Sequence, residues 1–192
     1  MSGEGPLSLR AKSSPYNKEM CAMSSAGGFP FIMEFQQKNH WCWAAATVSI
    51  TRYYEPTTGW LQCLIADDQL QRGCCENPSA CDEDWNFDKA LDAVEHLKRW
   101  EAGSKPLKPD VAAEITSARP VAVGIHWAGG GDHVVVINGY TDDIIGPFPG
   151  MMLHEQWVQV QDPAYGPSFI QYDTLRTAYH GSGTWTDTYY TR

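Results

Sequence analysis

Gln36-Gln37-Lys38-Asn39-His40-Trp41-Cys42-Trp43-Ala44-Ala45-Ala46 puts a cysteine at the mouth of an alanine-rich helix, one short loop after a glutamine. A helix N-terminus carries unpaired N–H groups and the positive end of the macrodipole, and both favour a thiolate over a thiol. The helix is predicted over residues 41–54. Working outward, a second helix is predicted over 60–70 and a third over 87–97. In the third, Phe87, Leu91, Val94 and Leu97 recur at three- and four-residue spacing after Asn86, a good N-cap. A shorter helix over 109–118 has Pro109 where a first turn tolerates it, and Pro120 stops it.

After Pro120 the period changes from helical to alternating. Val121, Val123, Ile125 and Trp127 alternate with small or polar residues, Gly129-Gly130-Gly131 makes a turn, and 133–140 reads as a paired strand. Strands over 157–161, 168–172 and 184–191 continue the sheet, with a short helix over 173–179 between the last two. Helices first and antiparallel strands later describe an α+β fold, an N-terminal helical half and a C-terminal antiparallel sheet half with a cleft between them. Residues 1–30, rich in Ser, Gly, Pro and Lys, read as a flexible leader or arm, and 31–192 as one domain. Residues 142–156, containing Gly146-Pro147-Phe148-Pro149-Gly150, read as an extra loop.

At 192 residues with 43% hydrophobic content the chain is long enough for one well-buried core. Its 14 Lys+Arg against 23 Asp+Glu, a formal charge of -9, argue against binding a phosphate backbone, so no nucleic-acid partner is expected. No apolar run approaches the roughly 18 to 20 residues of a membrane helix, and residues 1–26 lack the apolar core of a secretory signal. A soluble chain without a membrane partner is expected, any export using a route that needs no signal peptide or a segment since removed. A monomer without cofactor is also expected.

Four of the six cysteines, Cys63, Cys74, Cys75 and Cys81, crowd one segment. Neighbouring Cys74 and Cys75 bond to each other only under strain. That leaves Cys63–Cys74 with Cys75–Cys81, or Cys63–Cys75 with Cys74–Cys81. Zinc is the competing reading, but the spacing lacks the C-x2-C pairs of structural zinc sites, and no metal is expected. Cys21 is left on the leader, and Cys42 stands apart at its helix start.

Thiol catalysis of acyl transfer needs a base beside the sulfur, a group that orients the base, and donors for the oxyanion. Of the six histidines, His133 is the candidate base, because a Gly-rich turn feeds it into a buried strand and lets the backbone approach a cleft. His126 on the neighbouring strand is the runner-up; His40 is close to Cys42 in sequence only. Asp162, before Pro163 at a strand end, is either a turn-starting residue or the orienter that fixes the imidazole tautomer. Gln36 is a candidate oxyanion donor together with the Cys42 backbone N–H. Trp43, Trp127, Gly130 and Gly131 are candidates for the substrate cleft.

These residues carry a resemblance. The segment from Gln36 to Cys42 with Trp43-Ala44-Ala45 resembles the glutamine and nucleophile segment of papain-like cysteine proteases, and Asp132-His133-Val134-Val135 through Gly139-Tyr140 resembles their histidine strand. Asp162-Pro163 is similar to the Asp-Pro of the bacterial branches, the bacteriocin-leader peptidases and the avirulence-effector proteases of plant pathogens. Papain has asparagine in place of that aspartate and no counterpart of the cysteine cluster. The resemblance implies a papain-like fold over about residues 30–192 and a thiol endopeptidase acting on a protein or peptide substrate, with Cys42 attacking, His133 as base, Asp162 as orienter and Gln36 at the oxyanion. Deamidases and transglutaminase-like transferases use the same parts, and an inactive papain-like binding module is the non-enzyme alternative.

Overall fold

The helix that begins at Cys42 is buried on every side from Cys42 to Thr51, so it runs through the interior rather than over it. Its small alanines permit close packing. Its hydroxyls are satisfied within the helix: Thr47, Ser49 and Thr51 donate to the carbonyls of Trp43, Ala45 and Thr47 at 2.8, 2.7 and 2.8 Å. The computed structural model describes residues 25–148 and 151–192. In chain order the elements are β1 Ser25–Gly28, α1 Cys42–Tyr54, α2 Gln62–Leu70, α3 Phe87–Ala93, β2 Leu97–Ala102, α4 Ala112–Thr116, β3 Val121–Trp127, β4 Asp132–Phe148, β5 Met151–Asp162, β6 Gly166–Gln171, α5 Tyr172–Thr177 and β7 Gly183–Thr191.

The strands form one seven-stranded antiparallel sheet in the order β2-β7-β3-β4-β5-β6, with β1 also paired to β4. Successive residues face opposite sides of a strand, and both sides are filled. Ala122, Val134 and Val136 pack with α1, α2 and α3, whereas Val121, Val123, Ile125, Val135 and Ile137 pack with α4 and α5. A sheet covered on both faces explains why Val121 to Ile125 is buried without interruption.

The segment between α2 and α3 is cross-linked by Cys63–Cys75 and Cys74–Cys81, the second of the two pairings left open by the sequence. Cys74 and Cys81 are wholly buried and extend the core beneath α1. Among the described residues Cys42 is the one free cysteine; Cys21 lies outside them.

Four expectations change. The loop expected over 142–156 is the paired ends of β4 and β5, with Asp142 opposite Gln156 and Phe148 opposite Met151. Pro147 falls where the register shifts between Ile145 and Phe148, a bulge that needs no ladder N–H, so the proline does not break the hairpin. Helix α3 ends at Ala93 rather than at 97, because Glu95 takes a positive φ of 62° and Leu97 starts a strand on β7. The helix expected over 109–118 is regular only over Ala112–Thr116.

The fourth change concerns the leader expected over 1–30. Residues 1–24 lie outside the described ones, but Ser25–Gly28 forms a strand along the edge of β4 that β3 leaves after Ile137. Its glycines are a packing requirement rather than a sign of a free arm. A Cβ on Gly27 would lie 2.7 Å from the Tyr140 ring, and one on Gly28 3.3 Å from the Cα of Gly139.

Candidate active site

Cys42 is the first residue of α1, ahead of the first intrahelical bond, which the Ala45 N–H gives to the Trp41 carbonyl at 2.9 Å. Its own N–H has no ladder partner in the helix. No side chain caps this helix start; the approach is instead fixed by the loop before it and by the cross-linked segment beside it. The Trp41 indole N–H donates to the Cys81 carbonyl at 2.7 Å, and the Trp43 indole N–H to the Glu83 carbonyl at 3.0 Å. The His40 N–H donates to Asp82 Oδ1 at 2.8 Å. Both tryptophans flanking Cys42 are therefore tied to one stapled loop.

His133 is the second residue of β4, on the same face as Val135 and Ile137, and Asp162 ends β5 on the same face as Val158 and Val160. Gln161 pairs with Val136, so Asp162 and His133 are diagonal neighbours on adjacent strands. His133 Nε2 donates to both Asp162 oxygens at 3.0 Å, and the same imidazole hydrogen-bonds Cys42. Burial alone would push His133 down, but the hydrogen bonds and charges of Asp162 and Cys42 raise it to about 9. Burial likewise opposes the Asp162 carboxylate, and the bonds from His133, Tyr179 and the Tyr165 N–H outweigh it, holding the carboxyl below its usual range.

Asp162 combines the two readings its position allowed. One oxygen starts a turn, Oδ1 accepting the N–H groups of Ala164 at 2.6 Å and Tyr165 at 3.0 Å, while both oxygens face the imidazole. The turn also reaches the loop before Cys42, because the Gln36 N–H donates to the Pro163 carbonyl at 2.9 Å.

A cavity of about 210 Å³ is lined by Cys42, Trp43, Asp84, Trp85, Asn86, Asp132, His133 and Val134. Of the sequence-derived cleft candidates, Trp43 lines it. Trp127, Gly130 and Gly131 do not. Trp127 lies against the rings of His133 and Tyr179, at 5.9 and 6.1 Å between centroids, because the sheet face it occupies carries those rings. Gly130 and Gly131 have φ of 91° and 93°, which the turn requires of them, and a Cβ on either would meet no other protein atom within 4 Å.

Gln36 turns its amide toward its own loop. An amide NH2 has two hydrogens, and the Gln36 Nε2 donates to the carbonyls of Lys38 at 2.9 Å and Asn39 at 2.6 Å, while its Oε1 is buried without a partner among the described residues. The side chain shapes the loop before Cys42, and both hydrogens are engaged there in this structure. His126 is exposed and paired with Asp132 at 2.8 Å, and the His40 ring faces Asp84 at 3.3 Å; neither takes the place of His133 beside Cys42.

Sequence reasoning missed Asp84, Trp85 and Asn86, which reach the cavity through the stapled loop, and Tyr179, whose O–H donates to Asp162 Oδ2 at 2.7 Å. Asn86 occupies the expected N-cap position of α3 but makes no side-chain cap bond and lines the cavity instead. No motif marked these residues. Among the described residues no group of three or more His, Cys, Asp or Glu is placed to hold a metal ion, and no helix is long and apolar enough to cross a membrane.

Residues 24–172 match the family model described as papain-like cysteine protease AvrRpt2. No curated protein matches the chain.

Proposed function

The chain therefore belongs to the papain-like cysteine protease AvrRpt2 family and is a hydrolase, and we propose that it is an endopeptidase that cleaves a protein or peptide substrate through an acyl-enzyme on Cys42. The observation that carries this reading is one imidazole joined to both a cysteine at a helix start and a buried carboxylate. In this reading the 210 Å³ cavity is the substrate cleft between the helices and the sheet, with Trp43 and Trp85 on its walls.

His133 takes the proton of Cys42, and the sulfur attacks the scissile carbonyl. The N–H at the start of α1 donates to the oxyanion that forms. Gln36 joins it as second donor by releasing one of its two loop carbonyls when substrate arrives. The imidazolium then gives its proton to the departing amine, and neutral His133 activates water to hydrolyse the thioester. Asp162 holds the ring so that one nitrogen serves the sulfur throughout.

The test is exposure of a protein extract to the enzyme under mild reductant, followed by mass spectrometry of new N-termini. Fresh N-termini that vanish with Cys42→Ala, at an unchanged melting temperature, are expected. Glutamine deamidation or amine incorporation without chain cleavage would overturn the endopeptidase reading and point to a transferase or deamidase on the same residues.

A further inference from the structure

We propose that Tyr179 is a positioning residue for this reaction, its phenol O–H holding the Asp162 carboxylate in register with His133 and taking up part of the carboxylate's hydrogen-bonding capacity. The inference rests on the Cys42–His133–Asp162 reading. Tyr179 lies beyond the 24–172 span of the family match, so it is a feature read from this chain alone.

Asp162 is 1% exposed, so each of its lone pairs must be met from within the protein. Oδ1 is met by the turn N–H groups of Ala164 and Tyr165. On Oδ2 the one donor besides His133 among the described residues is the Tyr179 phenol, at 2.7 Å. Tyr179 is itself 1% exposed and its backbone is fixed by two reciprocal bonds with Gly183, both 2.8 Å, so the hydroxyl cannot swing aside without unpacking. Its ring lies against Trp127, which in turn lies against His133. Burial and the neighbouring charges of Asp162 and Tyr165 push the phenol far up, so it stays a donor at every working pH.

With the phenol gone, Oδ2 keeps His133 as its one donor. The carboxylate then binds the imidazolium more strongly, and His133 holds its proton to higher pH. The other titratable groups around this relay are Cys42 from α1, Asp132 with its partner His126 on the sheet, Tyr165 from the turn after β5, and His180, whose ring lies 4.5 Å from both Tyr165 and Tyr179.

The experiment is the pH dependence of Cys42 alkylation by iodoacetamide, which needs no knowledge of the substrate. In the parent protein the alkaline inflection falls near the His133 value of about 9. Tyr179→Phe keeps the ring and removes the hydroxyl; the inflection should move up by about half a pH unit or more. The same variant should lose turnover by about tenfold with little change in KM. His180→Asn, at a φ of 45° that asparagine tolerates, should leave the inflection in place, which separates the relay from the neighbouring imidazole. In an Asp162→Asn background the Tyr179→Phe change should produce no further shift. A Tyr179→Phe profile that superimposes on the parent's or moves down, or an equal shift in the Asp162→Asn background, overturns the proposal even if the variant melts earlier. A parent profile without an alkaline inflection would instead overturn the Cys42–His133 pairing.

Discussion

The two walls of the cavity are built by different means. One wall is α1 with the stapled loop, bringing Cys42, Trp43, Asp84, Trp85 and Asn86; the other is the end of the sheet, bringing Asp132, His133 and Val134 with Asp162 behind. The first is held by two disulfides and by indole and amide donors to loop carbonyls and carboxylates. The second is held by the ladder between β4 and β5 and by a buried histidine–carboxylate pair. A sulfur that sits at a helix start needs its approach loop fixed, whereas an imidazole on a strand is already aimed by the register of its neighbours. Covalent bracing appears on the wall where main-chain pairing cannot supply rigidity.

The largest expected effect lies on the sheet wall. Asp162→Asn removes the charge and one of the two acceptor oxygens that raise His133 while burial continues to lower it, so turnover should fall by about 100-fold or more. The sign in pH follows from linkage. In the parent, a histidine raised to about 9 stays charged until pH rises through that value, so its stabilising ion pair is complete below the ordinary histidine range and lost by about 9. In Asp162→Asn the alkaline limb of kcat/KM should fall toward the ordinary histidine range. An unmoved limb would show that the sheet wall does not set the histidine.

On the helix wall the expected effects are smaller and split between stability and activity. Each disulfide contributes about 2 to 4 kcal/mol, so replacing either pair by serine should lower the melting temperature. The two should differ in activity. Cys81 supplies the carbonyl that receives the Trp41 indole, so loss of Cys74–Cys81 should slow turnover more than loss of Cys63–Cys75 at comparable melting. Equal activity losses would reduce the bracing to stability alone. The smallest effect is expected for Trp43→Phe, which unpairs the Glu83 carbonyl: about 1 kcal/mol of stability and a change in turnover of a few fold.

Legibility divides along the same line. Cys42, its helix and the loop before it form one contiguous stretch, so Gln36, Cys42 and the alanine-rich turn could be read together. His133 and Asp162 were legible as strand ends, but their contact depends on the register between β4 and β5. The Asp142–Gln156 pairing was lost to the sequence because Gly146-Pro147 and Pro149-Gly150 signal a break wherever they stand, while only pairing partners decide whether the break is a loop or the tip of a hairpin. Gly27 and Gly28 misled in the same way, being read as chain freedom where strand contact required a missing Cβ.

By itself the sequence determined the local chemistry: a cysteine at a helix start, alternating strands after Pro120, a histidine at a glycine turn, and four cysteines close enough for two bridges. The tertiary structure decided which bridges form, that Gln36 spends both amide hydrogens on its own loop, and that Tyr179 reaches Asp162. Helix starts, turns and period follow from interactions within a few residues. Partner choice among buried donors and acceptors is settled only when strands and loops distant in sequence are packed together.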